Sequence, residues 1–343
     1  MKKPILKFTV FADLHYAKGM YPVSVENLLT ILKSAKEFGS EFVLSLGDFC
    51  NDYKGSPEIL KAFLENPYNL SVYNVYGNHE LETKGNTMDF VTPRLTNRQV
   101  FFAGDDVGYY YFDHKNFRII ATDTNYSLNR ETNQFEHNRE NSWGPPISND
   151  FESSLAPKQL EWLEKTVFSA IDCDKKCIVI SHAPLFSARA NAPDHLKAQE
   201  IFKKANTKKK NSVIMAMNGH IHTHHLNVID GVCYFDVNTV MNGYWAPQSE
   251  HHYEKGQGFD FTNYIDGEKT TTTHFDYIDL EQGKNSWFFN EPLFANVTIF
   301  DDGTINILGR ETTWAFNIKP EDKIKNKLVD GFMPKIPSIT IKI

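Results

Sequence analysis

LKFTVFADLH, residues 6–15, decides how the chain is to be read. Apart from Lys7 it opens as a run of apolar, aromatic and β-branched residues, the composition of a buried strand. Asp13 and His15 stand where that strand runs out. The same transition recurs in FVLSLGD (42–48), which ends in Asp48, and in VYNVYGNHE (72–80), which ends in Asn78, His79 and Glu80. It recurs again in CIVISH (177–182), ending in His182, and in MAMNGHIH (215–222), ending in His220 and His222. Amphipathic segments separate the first three runs: SVENLLTILKSAKEFG (24–39) and SPEILKAFLEN (56–66). Ser24 and Ser56 suit their caps, Pro57 opens the second, and Gly39 stops the first. Strand alternating with helix predicts a parallel sheet and an α/β fold.

Farther along, VGYYYFDHKNFRIIATDTN (107–125) predicts a hairpin turning at residues 114–116. Helices are predicted in PKQLEWLEKTVFSA (157–170) and HLKAQEIFKKANTKKK (195–210), and a hairpin in HLNVIDGVCYFDVNTV (225–240), turning on Asp230-Gly231. Residues 244–290 read as a long polar and aromatic loop, with EKTTTTHFDYIDLEQGKNS (268–286) as its least structured part. FANVTIFDDGTINILG (294–309) predicts a final hairpin. The division expected is a catalytic core over 1–243 and a C-terminal extension over 244–343, a long loop plus a β-hairpin packed on the core.

The 343 residues carry a formal net charge of −7, with 41% hydrophobic and 23% charged residues, ordinary for a soluble globular protein. An acidic balance argues against long nucleic acid as the main partner, which calls for a basic face. It does not argue against small anionic substrates, because bound cations would invert the local sign. No apolar run approaches the roughly 18 residues a membrane helix needs. Lys7 and Asp13 interrupt the N-terminal apolar stretch and no small-residue cleavage site follows, so the reading is a first strand rather than a signal peptide. Cytoplasm is the expected compartment, with periplasm or secretion as alternatives; nothing here bears on oligomeric state. Cys50, Cys173, Cys177 and Cys233 show no metal-ribbon spacing and imply no disulfide framework.

The carboxyl ends of parallel strands share one edge, and ligands sit there. Each motif alone is weak: Gly-Asp and Gly-Asn are common turns, and a lone histidine is more often satisfied than ligating. Gly-His-x-His says more, since alternating residues in extended backbone point to the same side. Their conjunction decides the matter. Burying several carboxylates and imidazoles together without a cation is costly. Seven nitrogen and oxygen donors are too many for one tetrahedral zinc and suit two first-row transition metals.

The ordered set Asp13-x-His15, Gly47-Asp48, Gly77-Asn78-His79-Glu80, His182 and Gly219-His220-x-His222 resembles the calcineurin-like metallophosphoesterase superfamily over roughly residues 7–240. The resemblance implies a four-layer α/β/β/α sandwich, here with an additional C-terminal β-containing segment. It implies two metal ions (manganese, iron or zinc), one held by Asp13, His15 and His222 and the other by Asn78, His182 and His220. Asp48 would bridge them. His79 would sit over the substrate phosphate and assist the leaving oxygen, and Glu80 would orient His79. The implied reaction is hydrolysis of a phosphoester by hydroxide held between the metals. The expected substrate is a small phosphorylated molecule of cyclic-nucleotide or nucleotide-like class, cleaved as a diester or monoester. A nuclease of the same superfamily and a non-catalytic metal-binding scaffold are the alternatives. Purple acid phosphatases carry a tyrosine three residues after the bridging aspartate, where this chain has Asn51 with Tyr53 out of register.

Outside the motifs, Asn125 is a candidate neighbour of the site, and Tyr244 and Trp245 are candidate pocket walls. His137, His251 and His252 read as solvated, and His224 and His225 as the loop that opens a hairpin.

Overall fold

In β1 (Pro4–Phe11) the even-numbered Leu6, Phe8 and Val10 are buried on one side while Phe11 is buried on the other, so this strand is covered on both faces. The computed structural model describes residues 2–16, 25–50, 57–81, 100–104, 108–129, 131–137, 154–186, 194–240, 242–245, 259–265, 268–275, 286–314 and 333–343. Asn51, Tyr53, His251 and His252, the caps Ser24 and Ser56, and the side chains of Tyr244 and Trp245 lie outside that description.

After β1 come helix α1 (Val25–Phe38), β2 (Val43–Ser45), helix α2 (Pro57–Leu64) and β3 (Val72–Asn74). Next are β4 (Phe101–Phe102), β5 (Tyr110–His114), β6 (Phe117–Ala121), β7 (Tyr126–Asn129) and β8 (Gln134–His137). Helix α3 (Pro157–Asp172), β9 (Lys176–Ile180), helix α4 (His195–Lys208), β10 (Val213–Asn218), β11 (His225–Ile229) and β12 (Val232–Asp236) follow. The remainder is β13 (Asn242–Trp245), β14 (Phe259–Ile265), β15 (Glu268–Phe275), β16 (Ser286–Phe288), β17 (Ala295–Phe300), β18 (Thr304–Leu308) and β19 (Ile339–Lys342).

The strands make two large sheets, ordered β19-β18-β17-β1-β2-β3 and β11-β12-β10-β9-β6-β5-β4. β1, β2 and β3 are mutually parallel, as are β6, β9, β10 and β12. Leu6, Phe8, Phe42 and Leu44 of the first sheet meet Phe112, Ile119, Ile178 and Phe235 of the second in one apolar core between them. Phe42 stacks on Phe8 at 5.6 Å and meets Phe112 edge-on at 5.5 Å, each ring pair worth about 0.5–1.5 kcal/mol beyond area burial. Helices α1 and α2 cover the outer face of the first sheet through Leu28, Ile31, Leu32 and Phe63. Helices α3 and α4 cover the second through Leu163, Val167, Ile201 and Phe202. The order of layers is α/β/β/α.

The hairpin turns fall where their residues predict, with Lys115, Asp230, Gly231 and Gly303 all at positive φ. The parallel strands belong to two sheets, as the four-layer sandwich implies, so the shared edge is that of a sandwich. One feature differs from the sequence reading. Residues 268–275, expected to be unstructured, form β15 paired antiparallel with β14; a run of four β-branched threonines favours extended pairing despite its polarity. The C-terminal strands β17 and β18 join the first sheet directly, β17 pairing with β1 from Pro4↔Phe300 to Val10↔Ala295. Among the described residues, no helix is long and apolar enough to cross a membrane.

Candidate metal centre

Parallel pairing of β1 and β2 continues past their ends. Asp13 N donates to Gly47 O (3.1 Å) and His15 N to Asp48 O (2.8 Å), which lays the two motifs side by side. Asp13, His15, Asp48, His220 and His222 all have left-handed backbone, with φ of 55°, 51°, 51°, 71° and 52°. Each such non-glycine residue costs about 1–2 kcal/mol, which its surroundings must overcome. This corrects the reasoning from strand alternation: β10 ends at Asn218, and His220 and His222 converge because both adopt this turn conformation.

Glycine makes the close packing feasible. A Cβ on Gly77 would stand 1.9 Å from Asp48 Oδ1, and one on Gly219 would stand 2.5 Å from Asp13 Oδ2. Glu80, wholly buried, accepts N–H bonds from Asp48 (3.0 Å), Phe49 (2.6 Å) and Gly77 (2.6 Å), tying the β2 and β3 loops together. His79 N donates to Asp48 Oδ1 at 2.9 Å.

All nine residues singled out from the motifs lie in this cluster. His15 Nε2 is 3.0 Å from His222 Nε2, which is 3.5 Å from Asp13 Oδ1. His182 Nε2 is 3.1 Å from each of Asp48 Oδ2, Asn78 Oδ1 and His220 Nδ1. Asp48 Oδ2 lies between the two groups, 3.8 Å from His15 Nε2 and 3.9 Å from His79 Nε2. His79 packs edge-on against His15 at 4.6 Å. Asp13–His15–His222 and Asp48–His182–His220 each gather ligand atoms tightly enough to hold a metal ion.

The donor set fits cations. His182 Nδ1 is 2.8 Å from Leu46 O, which only accepts, so Nδ1 carries a proton and Nε2 faces the oxygens of Asn78 and Asp48, where a second proton or a cation is called for. Lone pairs converging in a buried space call for a positive charge among them. Burial opposes protonation of His182, yet the Asp48 carboxylate overrides it and pushes the imidazole up to about 10. Asp48 is held well below the usual carboxylate range: burial acts against its charge, and His182 and His79 outweigh it. Burial, with His79 beside it, holds His15 down to about 3; burial and His182 do the same to His220. Glu80 is pushed up to about 8 by burial and by the charge on Asp48.

Some residues around the site escape the motif reading. Thr239 Oγ1 donates to Asp13 O at 2.8 Å. Asn125 does approach, donating from Nδ2 to Tyr76 O at 3.1 Å. His137, expected to be solvated, packs its side chain against Asp123, its Nε2 2.8 Å from Asp123 Oδ2. The available signal was that Asp123, like the other site acids, follows a strand of buried residues, β6.

The family model for calcineurin-like phosphoesterases matches residues 6–224. No curated protein matches the sequence closely enough to count as a relative. Among solved structures, a dimetal phosphatase from Danio rerio shares 15% identity over 91% of this chain and 99% of its own, with a TM-score of 0.57. GAP50, the anchor in the inner membrane complex of Plasmodium, shares 13% over 92% of this chain and 87% of its own (TM-score 0.43). A putative 5′-nucleotidase from Staphylococcus aureus shares 11% over 94% and 57% (TM-score 0.43). The likeness to the Danio rerio protein is one of fold.

Proposed function

The chain belongs to the calcineurin-like phosphoesterase family, whose reaction is hydrolysis of phosphoester bonds, and from that premise we propose that Asp13, His15 and His222 hold one divalent ion while Asn78, His182 and His220 hold a second. The observation that carries this reading is Asp48 Oδ2 standing between the two groups, 3.1 Å from His182 Nε2 and 3.8 Å from His15 Nε2. An ion pair bound there supplies Lewis acidity and a water acidified toward neutral pH.

The chain's own residues do the rest. Asp48 sets the spacing of the two ligand groups, and Glu80 fixes the loops that carry Asp48 and Asn78. His79 delivers a proton from its ring to the departing oxygen. Its backbone is held by Asp48 and its ring leans on His15, which orients it. The substrate we propose is a small phosphorylated molecule, a phosphodiester or monoester of cyclic-nucleotide or nucleotide-like class; the acidic chain favours this over nucleic acid.

The test is a hydrolysis panel with manganese, iron and zinc in turn, using aryl monoester, aryl diester, cyclic nucleotides, nucleotide sugars, a phosphopeptide and DNA. Turnover of a small ester with at least one metal is expected. Preferential cleavage of DNA would replace the small-molecule reading, and inactivity throughout would leave a metal-binding scaffold.

A further inference from the structure

One peptide unit, Tyr76–Gly77, immediately precedes Asn78, and it is gripped at both ends. Its N–H donates to Glu80 Oε2 at 2.6 Å, and its carbonyl accepts from Asn125 Nδ2 at 3.1 Å. Asn125 follows β6 in the opposite sheet. Its amide nitrogen has two hydrogens, and the second is directed at Asp123 Oδ1 at 2.9 Å, an oxygen that also accepts Asn125 N at 3.0 Å. The carboxylate therefore selects the amide orientation that presents a donor to Tyr76.

Asp123 is itself fixed on every side. Gln159 of α3 accepts from its N–H at 2.8 Å and donates to its carbonyl at 2.7 Å. His137 of β8 takes its remaining oxygen, Oδ2, at 2.8 Å. Asp123 is wholly buried and the His137 side chain is 6% exposed, with its ring edge-on to Tyr126 at 4.8 Å. Burial alone would raise the Asp123 carboxyl; His137, with the N–H groups of Asn125, holds it below its ordinary range.

We propose that Asp123, Asn125 and His137 form a brace that positions Asn78, so that the β7–β8 hairpin governs occupancy of one metal site selectively. This rests on the reading that Asn78, His182 and His220 hold an ion. The other group hangs from the end of β1 and from His222, in the β10–β11 connection that also carries His220, and none of its three residues adjoins the peptide that Asn125 holds. These three are positioning residues; none is asked to touch metal or substrate.

The experiment is a manganese titration of the full chain followed by electron paramagnetic resonance, with the melting temperature of the chelated protein measured alongside. Wild type is expected to take two ions and show the spin-coupled signal of a pair. Asn125→Ala should keep one class of site at wild-type affinity, weaken the other about 10- to 100-fold, and show the six-line signal of an isolated ion at one equivalent. Asn78→Ala should lose that same class and His222→Ala the other, which assigns them. His137→Phe, which keeps the ring and removes the donor, should reproduce the selective loss, and His137→Gln should recover part of it. Parallel weakening of both classes in Asn125→Ala, or of neither, overturns the brace. If that variant fails to fold, His137→Phe decides by the same criteria; if Asn125→Ala is selective and His137→Phe matches wild type, the hairpin's share is overturned. A wild-type chain that binds a single ion overturns the two-site reading, and the brace with it.

Discussion

Replacing Gly77 with alanine tests the packing of the centre with a single methyl group. The new Cβ would lie 1.9 Å from Asp48 Oδ1, 2.4 Å from Asp48 N and 2.6 Å from Asp48 Cγ, where real Cβ contacts essentially never fall below 3.0 Å. The carboxylate oxygen must withdraw by about 1.1 Å, the difference between 3.0 and 1.9 Å. Rotating the side chain does not relieve the contact with the backbone nitrogen, so the two loops must also part by about 0.6 Å. A designed or natural site tolerates displacements of about 0.5 Å, and overpacking of this kind costs about 1–3 kcal/mol of stability. Because Asp48 is proposed to serve both ions, Gly77→Ala should lose both while the protein remains folded. Elemental analysis after equilibration with manganese measures this, with melting of the chelated protein as the check on folding. Gly219→Ala, whose Cβ would press on Asp13 Oδ2 at 2.5 Å, should cost only the ion held by Asp13. Gly104→Ala, with nothing within 4 Å, should change nothing. A Gly77→Ala protein that retains two ions at wild-type affinity would refute the link between close backbone approach and ligand placement.

Asp48→Asn should lower occupancy of both sites together, read by the same metal analysis; loss confined to one would deny it a bridging role. His79→Ala should keep both ions yet turn over slowly, most of all with poor leaving groups, and lost metal would make it a ligand. Stability of the chelated protein should peak near pH 6.5. His15 and His220, near 3 when folded, contribute stability above their unfolded value of about 6.5 that is lost as pH falls toward 3. Glu80, near 8, and His182, near 10, contribute stability present below their unfolded values and lost as pH rises through the folded ones. From pH 4.5 to 6.5 two rising contributions outweigh one falling, by about 1.4 kcal/mol per pH unit; above 6.5 both remaining contributions fall. Thermal melts in chelator from pH 5 to 9 that climb or fall monotonically would contradict this.

Strand ends proved legible because their signal is local: an apolar run stops and a carboxylate or imidazole follows. Turns such as Asp230-Gly231 were legible for the same reason, as glycine and aspartate supply the positive φ. The partition into two sheets followed from the resemblance and not from the strand pattern, because nothing in β1 announces that one neighbour comes from residues 43–45 and the other from residues 295–300. His137 resisted reading for a related reason: only the fold brings it to Asp123. The left-handed φ of the histidines was hidden as well, since it is imposed by neighbours rather than preferred by the residues. Asn125 and Glu80 show the middle case, where the residue was noticed but its work, holding peptide groups that carry ligands, emerges only from the backbone around it.

The pairing of β1 with β17 also sets a timetable for the nascent chain. β1 leads directly into Asp13 and His15, yet one of its edges is closed by residues about 290 positions later, with Thr9 Oγ1 donating to Asn296 Oδ1 at 2.6 Å. At about 5–20 residues per second, synthesis leaves that edge open for roughly 15–60 seconds. An unpaired edge of buried-type residues is an invitation to wrong partners. The first sheet is therefore completed only once the C-terminal strands have left the ribosome, and a chain cut short before β17 would keep that edge of β1 open.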